Sequence, residues 1–335
     1  MDTAGPDLGK TPAGPLAGRS AWLVTDGKAG HEAQAEGVAA ALGLRYPGMR
    51  VSPPGLARLL APGGPAGPDP PWPTIVIGVG RTAIPALRQV RRRAGPATFS
   101  VVLQDPRTGA NVADLIWVPE HDRLRGRNVM ATLTPPNRFS AGVLEAARAA
   151  PQSDIAALPR PLVMLAIGGV SKGWRYTGDD IARLAAAVSG LAAQGASFLV
   201  TPSRRTPAAV VDAVASALAP FPHLIWRGEG DNPYLRYLAN ADAIVVTADS
   251  VSMTGEAVST GRPVYVFRPS GGSDKFRRFH DSLVAVRVTR PLEPATVLDV
   301  AWSYPPLRSA ETIAREIERR WASRARFLGP AMHGH

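Results

Sequence analysis

The sequence predicts an α/β protein made of two nucleotide-binding-like domains with a cleft between them. Three observations carry this. Short apolar, β-rich runs alternate with helical patterns along the chain, as expected of parallel strands buried on both faces. Two of the runs end in similar glycine turns, Trp22-Leu-Val-Thr-Asp26-Gly27-Lys28-Ala-Gly30-His31 and Ala166-Ile167-Gly168-Gly169-Val170-Ser171-Lys172. The chain of 335 residues is long enough for two separate cores.

The first domain begins with a strand over residues 21–25 and a helix over 31–42 that carries small residues on one face. Residues 74–78 form a wholly apolar strand. A helix over 81–93 follows, with Pro85 in its first turn, where the missing amide is tolerated. Residues 99–103 and 114–118 read as further strands, and 141–149 as a helix. The Gly- and Pro-dense stretch 62–73 reads as a surface loop, and 151–161 as the interdomain linker. In the second domain, strands are expected at 162–167, 197–201, 223–226, 243–247 and 264–267. Helices are expected near 179–193, 207–219, 233–240 and 250–260. Residues 311–327 form a long basic helix.

Composition narrows the chemistry. Hydrophobic residues make up 45% of the chain, which marks it as globular. It has no cysteine, so disulfides and thiolate metal sites are excluded and a reducing compartment is compatible. No apolar run approaches the roughly 18 residues of a membrane span. Residues 1–19 are Gly- and Pro-rich, lack a signal-peptide core and read as a disordered tail. The net charge of +11 favours an acidic partner: a nucleoside diphosphate, an anionic membrane or a nucleic acid. No nucleic-acid-binding motif accompanies it, and solvated helix charge explains much of the excess equally well.

Polar clusters fall where strands end, which is where open α/β sheets bind ligands. After the first strand stand Asp26, Gly27, Lys28, Gly30 and His31. An imidazole changes protonation near neutral pH and can serve as a general base, oriented or replaced by the aspartate. The structural alternative is a helix cap and a satisfied turn. Gly168, Gly169, Ser171 and Lys172 form either a diphosphate cradle of freed amides or a tight turn with a solvated lysine. Thr247-Ala-Asp249-Ser250-Val-Ser252-Met253-Thr-Gly-Glu256 reads as a phosphate-holding helix start followed by a carboxylate for a ribose diol. A capping box is the alternative. Arg268, Gly271, Gly272, Ser273, Lys275, Arg277, Arg278 and His280 offer donors to an anion or sugar, or are helix surface charge. Gly80 with Arg81, Gln104, and Ser203 with Arg204 end other strands. Neither metal-ligand spacing nor an Asp-x-Asp pair occurs, so phosphate chemistry would rest on Lys, Arg and helix dipoles.

Thr25-Asp-Gly-Lys-Ala-Gly-His-Glu, Asn232-Pro-Tyr, Val246-Thr-Ala-Asp-Ser-Val-Ser-Met and Lys275-Phe-Arg-Arg-Phe-His resemble the mitochondrial-fission Elm-type family. Many bacterial members of that family carry a glycosyltransferase label. The resemblance spans residues 21–280. It extends to the two-domain GT-B glycosyltransferases, above all the enzyme that adds N-acetylglucosamine to the lipid-linked peptidoglycan precursor. It implies a GT-B-like fold of two Rossmann-like domains with parallel sheets facing across a cleft. Residues 20–155 would form the acceptor side and 156–300 the nucleotide-sugar side, and 301–335 would cross back to the first domain.

By the same resemblance, His31 is the acceptor-side base, with Asp26, Gly27, Lys28, Gly30, Gly80, Arg81 and Gln104 around it. Donor binding falls to Gly168, Gly169, Ser171, Lys172, Ser203, Arg204, Asp249, Ser250, Ser252, Met253, Glu256, Lys275 and Arg278. The chain departs from the glycosyltransferase pattern in its first loop, where Asp26 and Lys28 replace a glycine and a small residue. It departs again after the last strand, where Lys275 and Arg278 lie near the usual place of a glutamine pair.

The function implied is metal-independent transfer from a nucleoside-diphosphate sugar, a UDP-sugar first among them, to an envelope glycan or lipid-linked acceptor. No other cofactor and no nucleic acid take part. The location implied is the cytoplasm, with peripheral contact at the inner face of an anionic membrane. Two alternatives stand beside it: a non-catalytic adaptor that recruits a protein, as plant members of the family do for mitochondrial division, and a nucleotide-sugar epimerase.

Overall fold

The computed structural model describes residues 14–46, 48–50, 71–150 and 152–328. The chain divides into two compact units: Met1–Ser140 with Arg308–His335, and Ala141–Leu307.

Unit 1 is built on a six-stranded parallel sheet. Its strands are β1 (Ala21–Thr25), β2 (Gly48–Arg50), β3 (Ile75–Val79), β4 (Phe99–Leu103), β5 (Leu115–Pro119) and β6 (Val129–Thr132), in the order β2-β1-β3-β4-β5-β6. In β1, Ala21 pairs with Ile75 of β3, and in β3 the same residue pairs with Phe99 of β4. Alternate side chains of β1 enter different cores. Ala21 and Leu23 pack with helix α1 (Ala29–Ala41), while Trp22 and Val24 pack with helix α2 (Ile84–Ala94). Because both faces are covered, these strands read as continuous apolar runs rather than alternating ones.

Unit 2 follows the same logic. Its strands β7 (Leu162–Ile167), β9 (Ser197–Pro202), β10 (His223–Ile225), β11 (Ala243–Thr247), β12 (Val264–Phe267) and β14 (Arg290–Pro291) form a parallel sheet in the order β10-β9-β7-β11-β12-β14. Between them lie α5 (Gly178–Ala193), α6 (Ala208–Leu218), α7 (Tyr234–Asn240), α8 (Val251–Val258) and α9 (Asp274–Ala285). The two-residue strands β8 (Trp174–Arg175) and β13 (Ser270–Gly271) make a separate antiparallel ribbon. Relabelled within the unit, the main sheet runs 3-2-1-4-5-6, the doubly wound order that reverses between its first and fourth strands. That switch point lies between β7 and β11. In unit 1 it lies between β1 and β3.

Several expected boundaries move. The division falls after Ser140, not at 155, because α3 (Ala141–Ala149) packs against α7 of unit 2. The expected linker contains a short helix, α4 (Ser153–Ala156), with Ile155 buried, and Asp242 accepts hydrogen bonds from Arg160 and the Leu162 amide. Residues 14–19 are not a disordered tail: Leu16 is wholly buried in the core of unit 1. Residues 1–13, most of the expected loop at 62–73, and Pro151 lie outside the described residues. Strands β2, β6, β8, β13 and β14 and the extent of α9 were not legible, since they are short or half-polar.

The last helix, α10 (Ser309–Leu328), completes unit 1. Ile313, Ile317 and Trp321 enter the core on the α1 side of the sheet. Arg324 reaches Asp114 at 2.9 Å, and Asp114 also accepts from the amide and hydroxyl of Ser100 at 2.8 Å. The Thr134 and Ser309 hydroxyls meet at 2.8 Å in a buried contact. Among the described residues no helix is long and apolar enough to cross a membrane. Ile317→Ala is expected to destabilise the protein by about 2–5 kcal/mol, read by urea unfolding, since it empties a fully buried position. A loss below about 1 kcal/mol would show that α10 is not integral to this core.

Candidate functional site

In unit 1, the turn after β1 brings three side chains together. Gly27 has φ +75°, a conformation that L side chains rarely adopt, and the chain bends back there. Lys28 Nζ thereby donates to Asp26 Oδ2 at 2.5 Å, and the Lys28 amide reaches Asp26 Oδ1 at 3.3 Å. From the first turn of α1, His31 Nδ1 lies 2.7 Å from Asp26 Oδ1. Partial burial works against the Asp26 carboxylate, but hydrogen bonds from Lys28 and His31 outweigh it and hold its pKa down to about 2. An ionised carboxylate only accepts, so the shared proton sits on Nδ1, and in the neutral imidazole Nε2 keeps the lone pair.

The imidazole lies against Gly80 at the end of β3, where a β-carbon would come within 3.3 Å of Cε1 and 3.9 Å of Gln104 Oε1. Gln104 ends β4 with φ +81° and donates from Nε2 to Gln34 Oε1 at 3.1 Å. A non-glycine residue held in that region stores strain, which is common at ligand sites. Asp26, Gly27, Lys28, His31, Gly80 and Gln104 thus converge at the carboxyl ends of β1, β3 and β4. Gly30 and Arg81 are exposed beside them. The sequence reading missed Gln34, although it stands three residues after His31 on one helix face.

In unit 2, the turn after β7 is occupied from within. The Gly168 amide donates to Thr247 Oγ1 at 2.7 Å and the Gly169 amide to Asp249 Oδ2 at 2.7 Å. The Val170 and Ser171 amides donate to the carbonyls of Arg205 and Trp174. The expectation of freed amides at this turn is therefore corrected: all four are bonded inside the protein. The glycines make room for that protein. A β-carbon at Gly168 would fall 1.9 Å from Asp249 Oδ2, and one at Gly169 would fall 2.3 Å from the Arg205 backbone. Thr206 Oγ1 ties the β9 loop to this turn, donating to the Ile167 or Gly168 carbonyl and meeting Ser203 Oγ at 3.1 Å. Burial raises the pKa of Asp249, against the Gly169 amide and the Tyr176 hydroxyl that donate to it.

Ser250 caps α8, its Oγ accepting from the Met253 amide at 3.2 Å. Glu256 closes no capping box. Its Oε2 accepts from the Tyr234 hydroxyl at 2.7 Å, which fixes the carboxylate on α8. Burial and the Glu256 charge push the Tyr234 hydroxyl pKa upward. Tyr234 belongs to the Asn-Pro-Tyr motif, whose link to Glu256, 22 residues away, becomes visible only in the folded chain. Ser252, Lys172, Arg204, Lys275 and Arg278 are exposed.

His280 is not a ligand donor. It is 2% exposed on α9, and Nε2 donates to the Ala248 carbonyl at 2.8 Å, bracing the loop that carries Asp249 and Ser250. Burial first, with Arg268 adding to it, pushes its pKa down to about 4.

Two parallel-sheet α/β units, each with its polar residues at the switch point, define a GT-B-like protein. Similarity to UDP-GlcNAc 2-epimerase from Methanocaldococcus jannaschii supports the fold. The TM-score is 0.54 at 11% identity, covering 90% of this chain and 99% of that one. MurG from Acinetobacter baumannii aligns with a TM-score of 0.47 at 16% identity, over 92% and 94% of the two chains. A family model described as mitochondrial fission ELM1 matches residues 29–321, and the chain belongs to that family. It is 34% identical over 276 residues to the mitochondrial fission protein ELM1 of Arabidopsis thaliana; the match covers 75% of this chain and 65% of that relative.

The buried imidazole yields a pH test. The folded state holds His280 neutral down to about pH 4, whereas the unfolded chain takes the proton near 6.5. Its contribution is complete above 6.5 and is lost as pH falls toward 4, a change on the order of 3 kcal/mol. In urea unfolding across that window, His280→Gln should flatten the fall in stability. An unchanged slope would remove His280 as its source.

Proposed function

We infer that the chain is a metal-independent glycosyltransferase. It would move a sugar from a nucleoside-diphosphate sugar, with a UDP-sugar as first candidate, to a hydroxyl of an envelope glycan or lipid-linked acceptor. The observation that carries this reading is the 2.7 Å contact between Asp26 and His31 at the carboxyl end of β1. A carboxylate that fixes the Nδ1 proton leaves Nε2 as the base, the arrangement by which an orienting acid prepares a histidine to accept a proton. His31 Nε2 takes the acceptor's O–H proton, and the acceptor oxygen bonds to the anomeric carbon. The bond from that carbon to the diphosphate oxygen breaks, and its electron pair leaves with the nucleoside diphosphate.

Unit 2 supplies the donor side of this reading. The first turn of α8, with Ser250 and Ser252, offers the positive end of a helix dipole to the departing diphosphate, and the exposed Lys172, Arg204, Lys275 and Arg278 add charge. Glu256, held by the Tyr234 hydroxyl at 2.7 Å, is the carboxylate that would accept from a ribose diol. The net charge of +11 supports peripheral contact with an anionic membrane that carries the acceptor.

One observation favours a second reading, a non-catalytic adaptor. The amides of the Gly168–Ser171 turn already have partners inside the protein, as they would in a fold kept for protein recruitment.

Calorimetry with UDP, GDP, CMP, ADP and their sugars separates the two readings. The transferase reading expects one nucleotide to bind and Glu256→Ala to weaken it by about 1–3 kcal/mol, the worth of hydrogen bonds to a charged group. Silence toward every nucleotide would move the assignment to the adaptor. His31→Gln is expected to keep donor affinity and to lower transfer by roughly 10²–10⁴-fold. Undiminished transfer would remove His31 as the base.

A further inference from the structure

We propose that the open edge of the unit 1 sheet, strand β6 beside helix α10, is a docking site for an acidic peptide segment that binds in extended form. The inference goes beyond both functional readings, since it concerns neither the nucleotide nor the Asp26–His31 pair.

β6 is the last strand of its sheet and pairs only with β5. The Ile116 amide donates to the Asn128 carbonyl, and the Glu120 amide to the Thr132 carbonyl. Backbone groups alternate sides along a strand, so those of Val129 and Ala131 face away from β5. The Val129 amide is taken by the Gly126 carbonyl at 3.1 Å. Ala131 is exposed, and among the described residues its amide and carbonyl have no partner. Such an edge is a template for one more strand, and proteins often blunt it with a proline or a bulge. β6, Val-Met-Ala-Thr, has neither a proline nor a bulge in its register with β5.

What adjoins this edge is positive. α10 runs antiparallel to β6: the Ser309 and Thr134 hydroxyls meet just past the strand, and Arg320 donates to the Arg127 carbonyl just before it, at 3.0 Å. Between these ties, Met130, Thr312, Arg315, Glu316 and Arg319 line a groove. Glu316 is already shared by Arg319 and Arg320, whose hydrogen bonds hold its pKa down to about 2. Arg315 makes only long contacts on its own helix, 3.4 Å to the Glu311 carbonyl and 3.3 Å to the Thr312 hydroxyl. The Glu311 carboxylate pairs with Arg308 instead. Arg127 is exposed at the start of the strand. Nearly all the excess positive charge of the chain falls in unit 1.

These facts define the occupant. A free strand edge takes extended backbone, as in β-strand addition, and the cations take carboxylates. Side chains of an added strand alternate between faces, so acidic residues at every second position would all turn toward Arg315 and α10. A second copy of this chain fits less well, because two-fold antiparallel pairing of β6 edges would set the same arginines against each other.

The test is fluorescence anisotropy of the full-length protein with a labelled octapeptide of alternating Glu and Thr, and with its Gln-for-Glu counterpart. The acidic peptide should bind, more weakly as salt rises, and the Gln peptide should not. Arg315→Gln should weaken binding by about tenfold, as loss of a charged hydrogen bond does. Ala131→Pro removes the outward amide and no bond to β5, so it should abolish binding while thermal unfolding stays close to wild type. Should that variant fail to fold, acidic peptides N-methylated at every Glu or at every Thr replace it, and at least one of the two should lose binding. The proposal is overturned if the acidic peptide does not bind, if the Gln peptide binds equally, or if folded Ala131→Pro or both N-methylated peptides bind undiminished. Phosphatidylglycerol vesicles that bind through Arg315 where the peptide does not would assign the face to a lipid surface instead. Dimerisation lost in Ala131→Pro, without peptide binding, would assign it to a second copy.

Discussion

Burying a parallel sheet on both faces is the constraint on which the rest of the molecule depends. β1 and β3 in unit 1, and β7 and β11 in unit 2, are buried along their whole length. Such strands need helices on each side, and the crossovers that supply them point successive strands the same way. The polar loops of each unit then collect at one edge. Where the strand order reverses, adjacent loops diverge and leave room for a ligand. The Asp26–His31 pair and the Asp249–Ser250 loop both stand at such points.

This constraint explains what could be read in advance. A strand buried on both faces is a run of apolar residues, so residues 162–167, 243–247 and 264–267 could be bounded without error. Edge strands have no such signature. β2 is Gly-Met-Arg, and β14 is Arg-Pro. Their pairing is decided by neighbours far away in the chain. The boundary between units was misplaced for the same reason: Ala141–Ala149 is amphipathic, but its sequence does not say which core it covers.

Site residues were legible where one loop holds them all and illegible where they meet across elements. Asp26, Lys28 and His31 lie within six residues, so their spacing alone suggests contact. Gly168 and Gly169 misled, because two glycines before a lysine look the same whether they admit a phosphate or the carboxylate of Asp249, 80 residues away. Tyr234 with Glu256, and Gln34 with Gln104, join residues 22 and 70 positions apart. His280 carried the opposite error. Its basic surroundings suggested a ligand donor, and its burial makes it a brace.

The return of α10 to unit 1 has a consequence for biosynthesis. Unit 2 is continuous in sequence, so all of it leaves the ribosome before α10 does. Domains tend to fold as units in the order they are synthesised. Here that order is inverted: the later-made unit can close first, while the core of the earlier one waits for Ile313, Ile317 and Trp321 to join it. During that interval unit 1 is the part of the nascent chain with most need of a chaperone.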